Sequence, residues 1–334
     1  MLPEFSQLGA KLMRRRKFIA LLGGTAAAWS LPTKAQQAAM PTIGWLSLAG
    51  LNRNSTEAFR SGLADLGYAE DKNIRVLYRF ADGNAARLPT LTSELVSLGA
   101  TIIVTYGTTA IRAAHDTAPN VPIVSWLSGD PVAMGWAQTL AKPGGMITGV
   151  FQQSLNAKRI ELLKEVRPQG TTFGYLMNAA NPGNPVWRKE ADDAARTLGV
   201  KLEIVEVKQQ SEIADAINRM ASHGVAGLLY IPDPVLGANS AMIAELALSH
   251  KLPSVGHDAY FVKAGGLLAF SENIFAMARR SAWYVDQIIK GVPPGDLAAE
   301  QASEVKLVVN MKTAKELELT IPAAILARAD EVIE

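Results

Sequence analysis

The chain has 334 residues, 49% hydrophobic and 19% charged, with no cysteine; at roughly 150 residues per domain, the length predicts two domains. The absence of thiols excludes disulfide staples, thiolate catalysis, thiolate metal sites and a lipid-bearing cysteine. The formal charge of +2 sits at the N-terminus, where six basic residues stand against Glu4 in the first 35. The remainder is left at about −3, without the basic surface that a nucleic-acid partner requires.

In chain order, residues 1–35 come first and have the parts of a cleaved export signal. Arg14 to Lys17 form a basic cluster with a twin-arginine character, Phe18 to Leu31 an apolar run, and Thr33-Lys34-Ala35 a small-residue cleavage pattern. Fourteen apolar residues fall short of the roughly 20 that a membrane-spanning helix needs. A soluble protein of the periplasm, not lipid-anchored, is expected. Met13 stands just before the arginines and is an alternative start to Met1.

From Thr42 onward, short β-branched runs alternate with amphipathic segments, as in βαβ units around a parallel sheet. Strands are predicted at TIGWLSL (42–48), IRVLYRF (74–80), TIIVTYG (101–107) and PIVSWL (122–127). Helix STEAFRSGLADLG would start on a Ser55 cap and end at Gly67. The second half repeats the plan with strands TFGYLMN (172–178), KLEIVEV (201–207), AGLLYIPD (226–233) and PSVGHD (253–258), and helices around 185–198, 211–222 and 238–249. GGLLAFSEN (265–273), a helix to Lys290, a strand EVKLVVN and a helical region from Pro322 complete the chain. The predicted fold class is α/β, with two doubly wound parallel-sheet lobes whose loops at the carboxyl ends of the strands face a cleft.

Several motifs invite a chemical reading. KPGGMITG (142–149) has a lysine beside glycines, but a Walker A loop needs glycine before the lysine and Ser or Thr after it, and here Pro143 follows Lys142. Pro143, Gly144 and Gly145 instead suit a sharp reversal, read here as a hinge crossing out of the first lobe. Asp130-Pro131 either caps a following helix or offers a carboxylate to a ligand ammonium. Thr108 and Thr109 either cap a helix or present its N-terminus to a ligand carboxylate. Tyr106 either stacks on an aromatic ligand or fills the core. Asn178, Asn181, Asn184 and Asp233 occupy the corresponding strand ends of the second lobe, where such residues also serve turns. No catalytic residue is assigned: the four histidines lack metal-ligand spacing, G-x-S-x-G and G-x-G-x-x-G are missing, and no metal or cofactor is expected. His257-Asp258 is set aside as an acid–base pair because neighbours on a strand point to opposite faces.

The runs IGWLSL, GLADLGY, KNIRVLYRFADG, IIVTYGTTA, VPIVSW, DPV, LAKPGGMITGV, KRIELLKEV, LPSV, AGGLLAF, YVDQIIKG, LVVNMKTAKELELTIP and LARADEVIE follow in an order that resembles the ABC-transporter substrate-binding proteins of the tryptophan/tyrosine-binding type. The resemblance implies a type I periplasmic binding protein with a three-segment hinge. The N-terminal lobe would take 41–151 plus 272–293, and the C-terminal lobe 152–271 plus 294–334. It also implies a small-molecule ligand, an ABC permease with its ATPase in the inner membrane, and a monomer. Matching positions place Ser47, Thr108, Thr109, Asp130, Asn181, Asn184 and Asp233 at the cleft. Where the family has GGLMSYG this chain has GGLLAFS, so Phe270 and Ser271 depart from the pattern near a crossing; PGGN is here PGGM and LPVEQP is LAAEQA. The candidate solute is an aromatic or branched amino acid or an aromatic carboxylate, its apolar body covered by Tyr106, Trp126 or Phe270. A ligand-sensing subunit for a membrane receptor and an exported hydrolase or lyase are the alternatives.

Overall fold

The computed structural model describes residues 40–126 and 129–334; the export signal expected over 1–35 lies outside the described residues. In chain order the strands are β1 (Thr42–Ser47), β2 (Arg75–Phe80), β3 (Ile102–Tyr106), β4 (Ile123–Trp126), β5 (Ile147–Phe151), β6 (Thr172–Asn178), β7 (Lys201–Val207), β8 (Leu228–Tyr230), β9 (Ser254–Gly256), β10 (Leu268–Glu272), β11 (Glu300–Gln301), β12 (Val305–Asn310) and β13 (Glu331–Ile333). They form two sheets, ordered β11-β5-β4-β3-β1-β2 and β13-β12-β10-β9-β8-β6-β7. The first sheet is parallel throughout; in the second, β12 runs antiparallel to β10.

Parallel strands buried on both faces read as near-continuous apolar runs, and β3 and β4 are buried along their whole length. On one face of the first sheet, Phe59 and Leu63 of the helix Arg53–Asp65 meet Met277, Ala278 and Ala282 of the helix Ile274–Ile289. On the other face, the helices Leu88–Ser97 and Thr108–Thr117 contribute Leu91, Leu95, Ala110 and Ile111. An aromatic ladder runs along the first core: Trp45 lies 5.2 Å from Phe59 and 5.9 Å from Trp126, and Trp126 lies 4.5 Å from Tyr106. Such pairs add about 0.5–1.5 kcal/mol each beyond their buried area.

Several expectations are corrected. Asn52, not Ser55, caps the first helix, because its side chain accepts from the Ser55 N–H and the helix already begins at Arg53. The segment after Asp130 is a run of turns, not a helix. The helical region from Pro322 is only Ala323–Leu326, and the chain then forms β13, a parallel neighbour of β12.

The hinge also moves. Gly144 and Gly145 precede β5, a strand of the first sheet, so they do not leave that lobe. The Gly144 N–H donates to the Gly295 carbonyl at 2.9 Å, and a Cβ on Gly295 would lie 2.9 Å from the Gly144 carbonyl carbon. The glycines therefore serve a close approach of two backbones within one lobe. Residues 294–302 stay with the first sheet rather than the second: β11 pairs with β5, and Leu297, Ala299 and Ala302 fill first-lobe cores. The chain passes between the sheets after Phe151, after Glu272 and after Gln301. These three segments are tied together by Gln153 and by Glu272, which is 3% exposed. Its carboxylate accepts from the Gln153 N–H at 3.0 Å and from Gln152 Nε2 at 3.3 Å, while Gln153 Nε2 donates to the Ala302 carbonyl at 2.5 Å.

Candidate functional site

Parallel register brings the ends of β1, β3 and β4 level: Leu46 pairs with Thr105 and Tyr106 with Trp126. Ser47 Oγ lies 3.1 Å from Tyr106 Oη and 2.8 Å from the Ala49 carbonyl. In the second lobe, the segments after β6, β8 and β9 carry Asn178 to Asn184, Asp233 and His257-Asp258. The two sets of strand ends confront one another across two adjoining cavities of about 470 and 780 Å³. The smaller is walled by Asn52, Arg53 and Tyr106 from the first lobe and by Asp233, Ser240, His257, Asp258 and Tyr260 from the second. The larger is walled by Asn84, Thr109, Asn178, Lys208, Gln209 and Asn239 among others, and shares Gly50, Pro234 and Ala238 with the smaller.

The lobes meet across this cleft. Gly107 adopts φ 77°, and a Cβ there would lie 2.8 Å from Pro234 Cγ; Val235 packs onto the first-lobe core. Asn54 Nδ2 donates to Tyr260 Oη. A Cβ on Gly129 would lie 2.8 Å from Cζ2 of Trp187, a second-lobe residue.

The sequence-derived residues divide. Tyr106, Thr109 and Asp233 line the cleft, whereas Ser47, hydrogen-bonded to Tyr106, and Thr108, the first residue of its helix, are buried and line neither cavity. Thr109 Oγ1 is buried without a partner. Asp233 is spent inside its own lobe: its oxygens accept from the Val235 and Leu236 N–H groups and from Asn178 and Asn181 Nδ2. With those acceptor sites taken, it does not suit a ligand ammonium. Burial pushes its carboxyl pKa up, against the opposing effect of these hydrogen bonds.

Asp130 Oδ1 accepts from the Val132 and Ala133 N–H groups of the following turns, with no helix there to cap, and Asp130 lines neither cavity. Asn181 closes a turn onto the Gly183 N–H, and Asn184 donates to the Asn178 carbonyl at 2.8 Å. Phe270 and Ser271 pair with Leu307 and Lys306 in the sheet and line neither cavity; the Phe270 carbonyl accepts from the buried Arg159.

Sequence reasoning missed Asn52, Arg53, His257, Asp258 and Tyr260. His257 and Asp258 lie beyond the end of β9 at Gly256, so strand alternation does not separate the pair. Both residues line the smaller cavity, with Nδ1 of His257 3.6 Å from Oδ2 of Asp258. Burial lowers the His257 pKa, and nearby Arg159 adds to this while Asp258 opposes it. Burial likewise raises the Tyr106 phenol pKa. Among the described residues, no group of three or more His, Asp or Glu side chains is placed to hold a metal ion, and no helix is long and apolar enough to cross a membrane.

Two parallel-sheet lobes, three crossings and a cleft walled from both sides define the type I periplasmic binding protein fold. The chain belongs to the family of ABC transporter substrate binding proteins, whose model matches residues 50–333. It is 22% identical over 264 residues to a tyrosine-binding protein of Clostridioides difficile strain R20291, covering 79% of this chain and 76% of that one. An ABC domain from Streptococcus pneumonia in complex with L-Trp is similar at 25% identity and a TM-score of 0.81, over 88% of this chain and 99% of its own. A ligand-free, open substrate binding protein with adhesive properties from Clostridium difficile has a TM-score of 0.63 at 21% identity, over the same shares of the two chains.

Proposed function

We propose that the protein is the exported solute-capturing component of an ABC importer. It takes an aromatic amino acid or related aromatic carboxylate between its lobes and delivers it, as a monomer in the periplasm, to a permease and its ATPase. The observation that carries this reading is the smaller cavity, whose walls come from both lobes and combine aromatic rings with a helix N-terminus. Its volume of about 470 Å³ falls in the roughly 300–1,000 Å³ range of small-molecule pockets.

Asn52 and Arg53 open the helix Arg53–Asp65, whose first N–H groups have no partners within the helix. That end, with the Arg53 guanidinium, suits the carboxylate. Tyr106, His257 and Tyr260 contribute rings to the wall, and Tyr260 is 47% exposed. A solute that touches both lobes binds the closed arrangement better than the open one, and that differential affinity is what drives closure. The tyrosine- and tryptophan-binding relatives support the aromatic class.

Isothermal titration calorimetry and thermal shift of the purified protein against the common amino acids and their aryl-carboxylate analogues test the reading. Stabilisation confined to aromatic members is expected. A panel without a single binder refutes it.

A further inference from the structure

The chain between β4 and β5 straddles the two lobes. Trp136 packs on a first-lobe core, whereas Met134, two residues earlier, packs against the core of the second lobe. The approach is close at two glycines. A Cβ on Gly129 would lie 2.8 Å from Cζ2 of Trp187 and 3.1 Å from Cε of Met134, and a Cβ on Gly183 would lie 3.1 Å from that same Cε. Residues 129–136 therefore form a strap of the first lobe seated on the start of the second-lobe helix Asn184–Leu198.

That seat brings two carboxylates to one seam. Asp130 follows Gly129 in the strap, and Glu190 stands one turn beyond Trp187, on the same face of its helix. Both are half-buried. Asp130 Oδ1 accepts from the Val132 and Ala133 N–H groups, and Glu190 Oε2 accepts from Ser154 Oγ at 2.8 Å. Burial pushes the Glu190 carboxyl pKa up and the charge of Asp130 adds to this, while the Ser154 hydrogen bond and, more weakly, Lys189 oppose it. The nearby cations have partners of their own. Lys189 binds Asp193 at 2.7 Å, Lys158 on the helix Asn156–Val166 binds Glu161 at 2.9 Å, and the Arg159 guanidinium donates to the Phe270 carbonyl. Tyr175 of β6 is held un-ionised by its burial.

When the lobes part, Asp130 leaves with the first and Glu190 stays with the second, so their repulsion belongs to the closed arrangement. We propose that this seam makes closure acid-sensitive: closing takes up a proton at Glu190, so the solute is held more tightly in acid and released more readily toward neutral pH. This inference rests on the capture between closing lobes proposed above and adds its regulation. Because Glu190 keeps its proton to a higher pH in the closed form than in the open one, affinity is highest where both forms are protonated. It falls as the pH rises through the raised value and levels off once both forms are ionised.

The test is calorimetric titration with L-tyrosine and L-tryptophan at pH 5, 6 and 7.5, for the unmodified protein, Glu190→Gln and Asp130→Asn. Both substitutions remove a charge and keep an oxygen that accepts from Ser154 or from the strap N–H groups. The unmodified protein should bind about 3- to 10-fold more tightly at pH 5 than at pH 7.5. Titrations at pH 6 in buffers of different ionisation heat should show net proton uptake. In each variant the two affinities should agree within about twofold, close to the acid value of the unmodified protein. Loss of the ratio in both variants assigns it to the pair and not to His257 in the cavity wall. Affinity independent of pH in the unmodified protein, or an unchanged ratio in either variant, overturns the inference while leaving aromatic capture standing. If neither amino acid binds, the capture reading fails and small-angle scattering of the protein alone decides. Compaction from pH 7.5 to pH 5 that is absent in Glu190→Gln supports the seam, and equal profiles overturn it.

Discussion

Replacing Gly107 by alanine separates closure of the lobes from their folding. The φ of 77° with ψ 140° strains any residue with a Cβ, costing about 1–3 kcal/mol whether the lobes are apart or together. The added Cβ would also lie 2.8 Å from Cγ and 3.2 Å from Cδ of Pro234, an overlap between residues of the two lobes that moving the lobes apart would relieve. The proline ring cannot swing aside, so the overlap costs about 1–3 kcal/mol of the closed state alone. The backbone strain cancels from the binding equilibrium and the overlap does not, so affinity should fall about 5- to 150-fold.

The assay is calorimetric titration of Gly107→Ala, Pro234→Ala and the double variant with whichever aromatic amino acid stabilises the unmodified protein. Affinity lost in Gly107→Ala should return in the double variant, a coupling of the size a double-mutant cycle resolves. Small-angle scattering with ligand should show Gly107→Ala more extended than the unmodified protein. If Gly107→Ala binds within twofold of the unmodified protein, or the double variant binds no better than it, closure does not bring Gly107 onto Pro234 and the reasoning fails.

Other outcomes follow from the same contacts. Asp233→Ala strands two backbone N–H groups and two asparagine amides, and should cost the protein about 2–4 kcal/mol, read as a lowered urea midpoint; a loss below 1 kcal/mol refutes the clamp. Glu272→Ala leaves the Gln153 N–H and Gln152 Nε2 unpaired and removes a buried charge near Arg159, with an expected loss of about 3–5 kcal/mol and scattering profiles that vary more between liganded and free protein. For His257, faced by Asp258, Arg159 and Tyr230, the folded pKa lies below its ordinary value of about 6.5. The unfolded chain therefore takes the proton first. The penalty is absent above pH 6.5 and grows as the pH falls below it. Denaturation midpoints between pH 7.5 and 5 should decline more steeply for the unmodified protein than for His257→Gln; equal slopes contradict this.

The elements that depend on local pattern were legible in the sequence. β6 and β7 match the expected runs to the residue, and Gly67, at φ 85° just past its helix, closes it as its position predicted. The short buried strand β5 is absent from the strands predicted above, because a run that begins beside Pro143-Gly144-Gly145 looks like a turn until its sheet partners are known. The same limit put 294–302 in the wrong lobe: β11 is two residues long and has identity only through pairing with β5.

By itself, the sequence determined the class of fold, the parallel strands with polar residues at their carboxyl ends, and the exclusion of thiol chemistry, since these follow from hydrophobic periodicity and composition. Only the tertiary structure decided which polar residues are free. Asp233 and Asn181 look available in the sequence and are consumed by hydrogen bonds to each other and to nearby backbone. His257 looks incidental and lines the cavity, with its Nε2 buried and unpaired. A hydrogen bond is a relation between two groups, and the partners here lie up to 55 residues apart, where one-dimensional spacing carries no signal.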